Sequence, residues 1–150
     1  MLVGVISDTH NLLRDEATFA LAGVSCILHA GDVCVPEILE RLERIAPVYA
    51  VRGNNDTGEW SLSLPEHRSI EIGGARIHMC HIASEIGAPN LDMADIVITG
   101  HSHKPVVSRL DGRLWLNPGS AGRRRFKLPV TLALLHLQPG DIRAELVSLL

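Results

Sequence analysis

The chain has 150 residues, 46% hydrophobic and 21% charged, with a formal net charge of -3. That length suits one domain over residues 1–150, burying roughly 70% of its unfolded surface without covalent staples. The small negative charge gives no global attraction to nucleic acid or anionic lipid. Aromatic residues at 3% are too few for a base-stacking platform, so sequence-specific nucleic-acid binding is not expected.

The first apolar run, Leu2 to Ile6, has no basic segment before it and meets Asp8 almost at once. It reads as a strand rather than a signal peptide or membrane span. A segment of helical period from Leu12 to Leu21 follows, then apolar Val24 to Leu28, helical Pro36 to Ile45 and apolar Val48 to Val51. Pro36 suits a first helical turn, where its missing N–H has no partner to lose, and Ile38, Leu39, Leu42 and Ile45 keep one face apolar. This β-α-β-α-β order predicts a parallel sheet with covering helices.

The second half is richer in strands. Ser69 to Ile72 and Ala75 to Cys80 flank Gly73-Gly74, and Pro105 to Leu110 and Arg113 to Leu116 flank Asp111-Gly112, two hairpin signals. Asp95 to Thr99 reads as a buried strand, and Val130 to Leu137 and Ile142 to Leu149 as two more, turned by Pro139-Gly140. The order predicts two sheets packed face to face with helices outside. The apolar residues of the terminal strand would support a homo-oligomer contact. Cys26, Cys34 and Cys80 show no CxxC spacing, which argues against a disulfide framework and for a reducing, cytoplasmic setting.

Five short polar motifs each follow an apolar run: Asp8-Thr9-His10, Gly31-Asp32, Gly53-Asn54-Asn55-Asp56, Cys80-His81 and Gly100-His101-Ser102-His103. Strand ends are where an α/β sheet opens a crevice for ligands. Alone, an Asp-x-His at a strand end is commonly a turn and cap, and a Gly-Asn loop is commonly just a turn. Two imidazoles separated by one residue after a buried strand are hard to explain as packing. Taken together, imidazole and carboxylate groups suit Mn, Fe, Zn or Ni better than Mg or Ca.

In this order the motifs resemble those of the calcineurin-like metallophosphoesterase superfamily, D-x-H, G-D, G-N-x-[D/E], H and G-H-x-H, and the match extends to Asn117-Pro118-Gly119-Ser120. It looks like the small phosphodiesterase branch without large insertions. The resemblance implies an α/β, four-layer αββα sandwich of two mixed sheets flanked by helices. It would place one divalent ion on Asp8, His10, Asp32 and His103 and a second on Asp32, Asn54, His81 and His101, with Asp32 shared. Manganese is the family's implication, with Fe, Ni or Zn as alternatives. Two such ions can lower the pKa of a water held between them and direct it at phosphorus. The implied activity is hydrolysis of a small phosphodiester. A phosphomonoesterase is an alternative, as is a non-catalytic protein-interaction scaffold, because relatives such as the retromer scaffold subunit keep the fold while binding partner proteins.

The chain departs from the family at two positions. Asn55 stands where many members carry His. Asparagine cannot act as a general acid, although it can contact a phosphate oxygen or the leaving group. Ile82 stands where glycine is frequent after the histidine ligand, and its branched Cβ restricts the backbone there. Asp56 is expected to orient its neighbours. Of the other histidines, His29 ends the second strand, His67 lies in a loop, His78 alternates with Ile77 and Met79, and His136 interrupts an apolar strand; none is expected to bind metal directly. Cys34 and Cys80 read as packing, and Arg123-Arg124-Arg125 with Lys127 as a solvated cluster.

Overall fold

In the computed structural model, which describes residues 1–150, all ten expected strands pair. The parallel strands β1 (Leu2–Ile6), β2 (Cys26–His29) and β3 (Val48–Ala50) form one end of a five-stranded sheet. The C-terminal hairpin of β9 (Thr131–Gln138) and β10 (Asp141–Ser148) completes it, β9 running antiparallel to β1. Its order is β10-β9-β1-β2-β3. The second sheet contains β4 (His67–Ile72), β5 (Ala75–Cys80), β6 (Ile96–Ile98), β7 (Val106–Leu110) and β8 (Arg113–Asn117). Its order is β4-β5-β6-β8-β7, with the central three parallel and both edges antiparallel.

The period of two along each strand divides the interior into two cores. Val3 and Val5 of β1, Leu28 of β2 and Ala133, Leu135 and Leu137 of β9 face Ile77, Met79, Ile96, Ile98, Leu114 and Leu116 of the opposite sheet. The alternate residues Ile6, Ile27 and Leu132 point the other way. There they meet Ala17 and Leu21 on and just after α1 (Asp15–Ala20), and Ile38 and Leu42 of α2 (Pro36–Glu43). Burial of this kind, about 25 cal/mol per Å² of apolar surface, is the main force closing the sandwich.

The layers are unequal. Outside the second sheet lies α3 (Ala88–Met93), which buries none of its residues. Its sequence, APNLDM, shows no apolar period and no capping side chain, which is why periodicity did not reveal it. Two short 3-10 turns, Glu59–Ser63 and Ala83–Glu85, were likewise unsignalled. α1 is shorter than the predicted Leu12 to Leu21 because Arg14, with φ of -73° and ψ of 148°, is extended and stands as its N-cap. His67, expected in a loop, is the first residue of β4 and pairs with Cys80. No helix is long and apolar enough to cross a membrane.

Because Leu135 is fully buried between the sheets and Leu146 is 40% exposed on the edge strand, their alanine variants should differ sharply. Leu135→Ala is expected to lower the unfolding free energy by about 2–5 kcal/mol, and Leu146→Ala by no more than about 0.5–1 kcal/mol, measured by urea denaturation of the metal-free protein.

Candidate metal centre

Asp8 and His10 follow β1, Asp32 follows β2, Asn54 follows β3, His81 follows β5, and His101 and His103 follow β6. The carboxyl ends of strands from both sheets thus deliver every expected ligand. The turns that do so are strained. Nine non-glycine residues have positive φ, and five of them are Asp8, His10, Asp32, His101 and His103. Left-handed backbone at a non-glycine residue costs of order 1–3 kcal/mol and persists only where its surroundings over-determine it. Close approach adds to the constraint. A Cβ on Gly100 would come 2.2 Å from Ser7 Oγ, and one on Gly53 would come 2.2 Å from Asp32 Oδ1.

Asp8 and Asp32 are buried. Ser7 Oγ donates to Asp8 Oδ2 at 2.7 Å and the His101 N–H donates to the same oxygen at 3.1 Å. Asp8 Oδ1 is left without a hydrogen-bond partner, facing His103 Nε2 at 3.3 Å, His10 Nε2 at 3.5 Å and His81 Nε2 at 3.8 Å. Asp32 Oδ2 lies 3.2 Å from His81 Nε2 and 3.5 Å from His10 Nε2. Burial acts to raise both carboxyl pKa values, but the surrounding histidines outweigh it, with Ser7 beside Asp8 and Asn55 beside Asp32. Both groups are held below the usual carboxylate range.

The imidazoles are oriented from behind. His81 Nδ1 lies 2.7 Å from the Ala30 carbonyl, an oxygen that can only accept, so Nδ1 carries a proton and Nε2 is turned toward the two carboxylates. Burial lowers the pKa of His81, yet Asp32 and Asp8 overcome this and raise it. His10 Nδ1 rests 3.7 Å from Cys34 Sγ. His10 Nε2 and His81 Nε2 are buried without hydrogen-bond partners. Bare nitrogen and oxygen atoms of this kind, gathered about two buried carboxylates, fit a cation of the Mn, Fe, Ni or Zn type. His101 and Asn54 are exposed at the rim, and His101 Nδ1 lies 3.1 Å from Asn54 Oδ1.

The neighbouring groups act as braces. Asn55 donates its backbone N–H to Asp32 Oδ1 and its side-chain amide to Asp32 Oδ2, both at 2.9 Å. As it stands, that amide grips Asp32. Asp56 accepts the N–H groups of Asp32 at 3.0 Å, Gly53 at 2.8 Å and Cys34 at 2.7 Å, tying two motif loops together. Ile82 has φ of -110° and ψ of 116°, extended backbone that a β-branched residue favours. Buried His29 accepts the Gly31 N–H at Nδ1 and meets Thr9 Oγ1 at Nε2. Desolvation there drives its pKa from 6.5 to about 4, so it is a neutral strand histidine. Burial and nearby carboxylates push the Cys34 thiol up to about 11, which excludes a thiolate nucleophile at neutral pH.

Some contributors had no role assigned from the sequence. Ser7, by holding one oxygen of Asp8, decides which oxygen is free. Asn117 donates to the Gly100 carbonyl at 2.9 Å, and Ser120 Oγ donates to the Asp8 carbonyl at 3.0 Å, so the turn after β8 clamps two motif loops. Arg123, Arg124 and Arg125 stay exposed. The arginine that borders the site is Arg52, which lines a cavity with Asn54 and His81 and pairs with Glu66 at 2.9 Å.

Residues 1–140 match the calcineurin-like phosphoesterase superfamily domain, and the chain belongs to that superfamily. It is 36% identical over 160 residues, covering 98% of this chain and 92% of the relative, to a probable metallophosphoesterase of Methanothermobacter thermautotrophicus. Similarity to a phosphodiesterase of Methanocaldococcus jannaschii is 29% over 165 residues, covering 95% and 97% of the two chains. Among solved structures, wild-type Vps29 from Entamoeba histolytica complexed with zinc superposes with a TM-score of 0.74 at 27% identity, covering 100% of both chains. The α/β sandwich of two mixed sheets expected from the motifs is the fold this chain shares with that structure.

Two consequences of the bracing can be measured. Asp56→Ala leaves three backbone N–H groups without their acceptor and should weaken metal binding by about 10–100-fold, read by titration calorimetry. In metal-free protein the folded state resists protonating His29, so the unfolded state binds more protons between the two pKa values, about 4 and 6.5. Stability should therefore fall as pH drops from about 6.5 to about 4. That part of the slope should be missing from the denaturation profile of His29→Gln.

Proposed function

We propose that this chain is a metal-dependent phosphodiesterase acting on a small, accessible phosphodiester with two divalent transition-metal ions, Mn2+ first among them. The observation that supports this reading is the set of unpartnered, inward-facing atoms Asp8 Oδ1, His10 Nε2 and His81 Nε2 around two buried carboxylates. Asp8, His10, Asp32 and His103 would hold one ion, and Asp32, Asn54, His81 and His101 the other, Asp32 being shared. When bound, the ions supply a water of lowered pKa and neutralise charge on the phosphoryl oxygens. No side-chain nucleophile is then required, in keeping with the protonated Cys34 thiol.

The remaining work belongs to the chain. Ser7, Asn55 and the Ala30 carbonyl fix the two carboxylates and His81 before substrate arrives, so the site needs little reorganisation. Asn55 offers no acidic proton, which favours esters with good leaving groups. Charge favours a diester. With two dications bound, the two carboxylates and one hydroxide would leave a net +1, which a phosphodiester of charge -1 would neutralise. Beside His101 and Ser102 runs a groove lined by Ile82, Ala83, Val106 and Trp115, an apolar surface suited to the organic arm of an ester. The likeness to Vps29 favours a second reading, a protein-interaction scaffold on the same fold, which turnover separates from the first.

Protein stripped with chelator and resupplied with Mn2+, Ni2+, Zn2+ or Mg2+ should hydrolyse an aryl phosphodiester only when metal is present, and faster than the matching monoester. His101→Ala should cut turnover by at least roughly tenfold. Unchanged activity in that variant would remove His101 from the site, metal-independent turnover would overturn the metal-dependent reading, and absent turnover would favour the scaffold. Asn55→His should raise the rate on alkyl diesters relative to aryl ones by up to about 10²-fold, the lower bound for general-acid assistance.

A further inference from the structure

The outer face of the second sheet carries a group of ligand-type side chains that the dinuclear site does not use. In the β4–β5 pairing His67 lies opposite Cys80 and Ser69 opposite His78, and directly opposed residues project to the same face. The alternate positions Ala75, Ile77 and Met79 fill the core, so this row faces away from it. On that face His78 Nδ1 is 2.8 Å from Ser69 Oγ, and His78 Nε2 is 3.2 Å from His67 Nδ1. His67 Nε2 in turn is 3.8 Å from Cys80 Sγ. The turn Ala83–Glu85 brings in Glu85, and one ligand atom from each of His67, Cys80 and Glu85 lies within 4.8 Å of the others.

We propose that His67, Cys80 and Glu85 form a third metal site, suited to Zn2+, that clamps the loop leaving His81. With Zn–N near 2.0–2.1 Å and Zn–S near 2.3 Å, an N···S separation of 3.8 Å subtends about 120° at the ion, close to tetrahedral. The row Ser69, His78, His67 has two proton arrangements. In one, His67 Nδ1–H donates to His78 Nε2, and His78 Nδ1–H donates to Ser69 Oγ. This leaves the His67 Nε2 lone pair aimed at Cys80. A cation selects that arrangement, and Ser69 and His78 then orient the ligand from behind. The Cys80 thiol gives its proton to solvent on binding and loses a weak 3.5 Å bond to the Ile82 carbonyl.

Thiolate, imidazole and carboxylate together select Zn2+ over Mg2+ or Ca2+. Glu85 is exposed, which leaves the ion an entry path and a fourth position for water. The span from Cys80 to Glu85 contains His81 and Ile82, so the clamp holds the backbone immediately beyond a ligand of the dinuclear centre. The assignment does not depend on the proposed hydrolysis.

Co2+ titration tests it, because none of the seven candidate ligands of the dinuclear centre is a cysteine, so a thiolate-to-cobalt charge-transfer band that persists in Cys34→Ser, whose thiol neighbours His10, reports this site. Wild type and His101→Ala should both show the band. Cys80→Ser and His67→Ala should lack it, and Glu85→Gln should bind Co2+ at least about tenfold more weakly. Elemental analysis should find one zinc fewer per chain in His67→Ala than in wild type, with circular dichroism unchanged. A band that survives Cys80→Ser, or equal zinc in wild type and His67→Ala, overturns the assignment.

Discussion

Two carboxylates that share the same histidines dominate this molecule. Asp8 and Asp32 are buried at the meeting point of the sheets, and with His81 their ligand atoms lie within 4.8 Å of one another. At an effective dielectric near 20, two such charges repel by roughly 3.5 kcal/mol. In the metal-free protein the carboxylates and His81 offset this mutually, the pKa of His81 being raised and those of both aspartates lowered. A cation held by the same atoms relieves the repulsion more fully than partial protonation can.

The fold is arranged to sustain that concentration of charge. Both sheets contribute parallel strands whose carboxyl ends converge, so ligands distant in sequence meet without long loops. The left-handed turns at Asp8, His10, Asp32, His101 and His103 aim short side chains inward, at a cost offset by Asp56, Asn55, Asn117 and Ser120, which bond the same loops together. The braces are as specific as the ligands. Ser7 leaves one oxygen of Asp8 bare, and the Ala30 carbonyl leaves one nitrogen of His81 bare.

Much of this was legible in the chain. All ten strands could be read because buried strands are continuous apolar runs and hairpins carry Gly-Gly, Asp-Gly or Pro-Gly turns. The candidate ligands could be read because each motif interrupts an apolar run with residues that packing does not explain. What could not be read depended on tertiary contacts. α3 has no apolar period, so it left no trace. The starting point of α1 was set by extended backbone at Arg14, whose side chain bonds the distant Gly122 carbonyl. The hydrogen bond from the Asn55 amide to Asp32 could not be read either, because only the folded loop sets the two side by side. The alignment of His67, His78 and Cys80 depended on strand register, and His67 had looked like a loop residue.

The most direct measurement is anomalous scattering from crystals grown with Mn2+. The account predicts two peaks roughly 3.5–4 Å apart, both beside the Asp32 carboxylate. A single peak, none, or an Asp32 carboxylate turned away from the metal would contradict it.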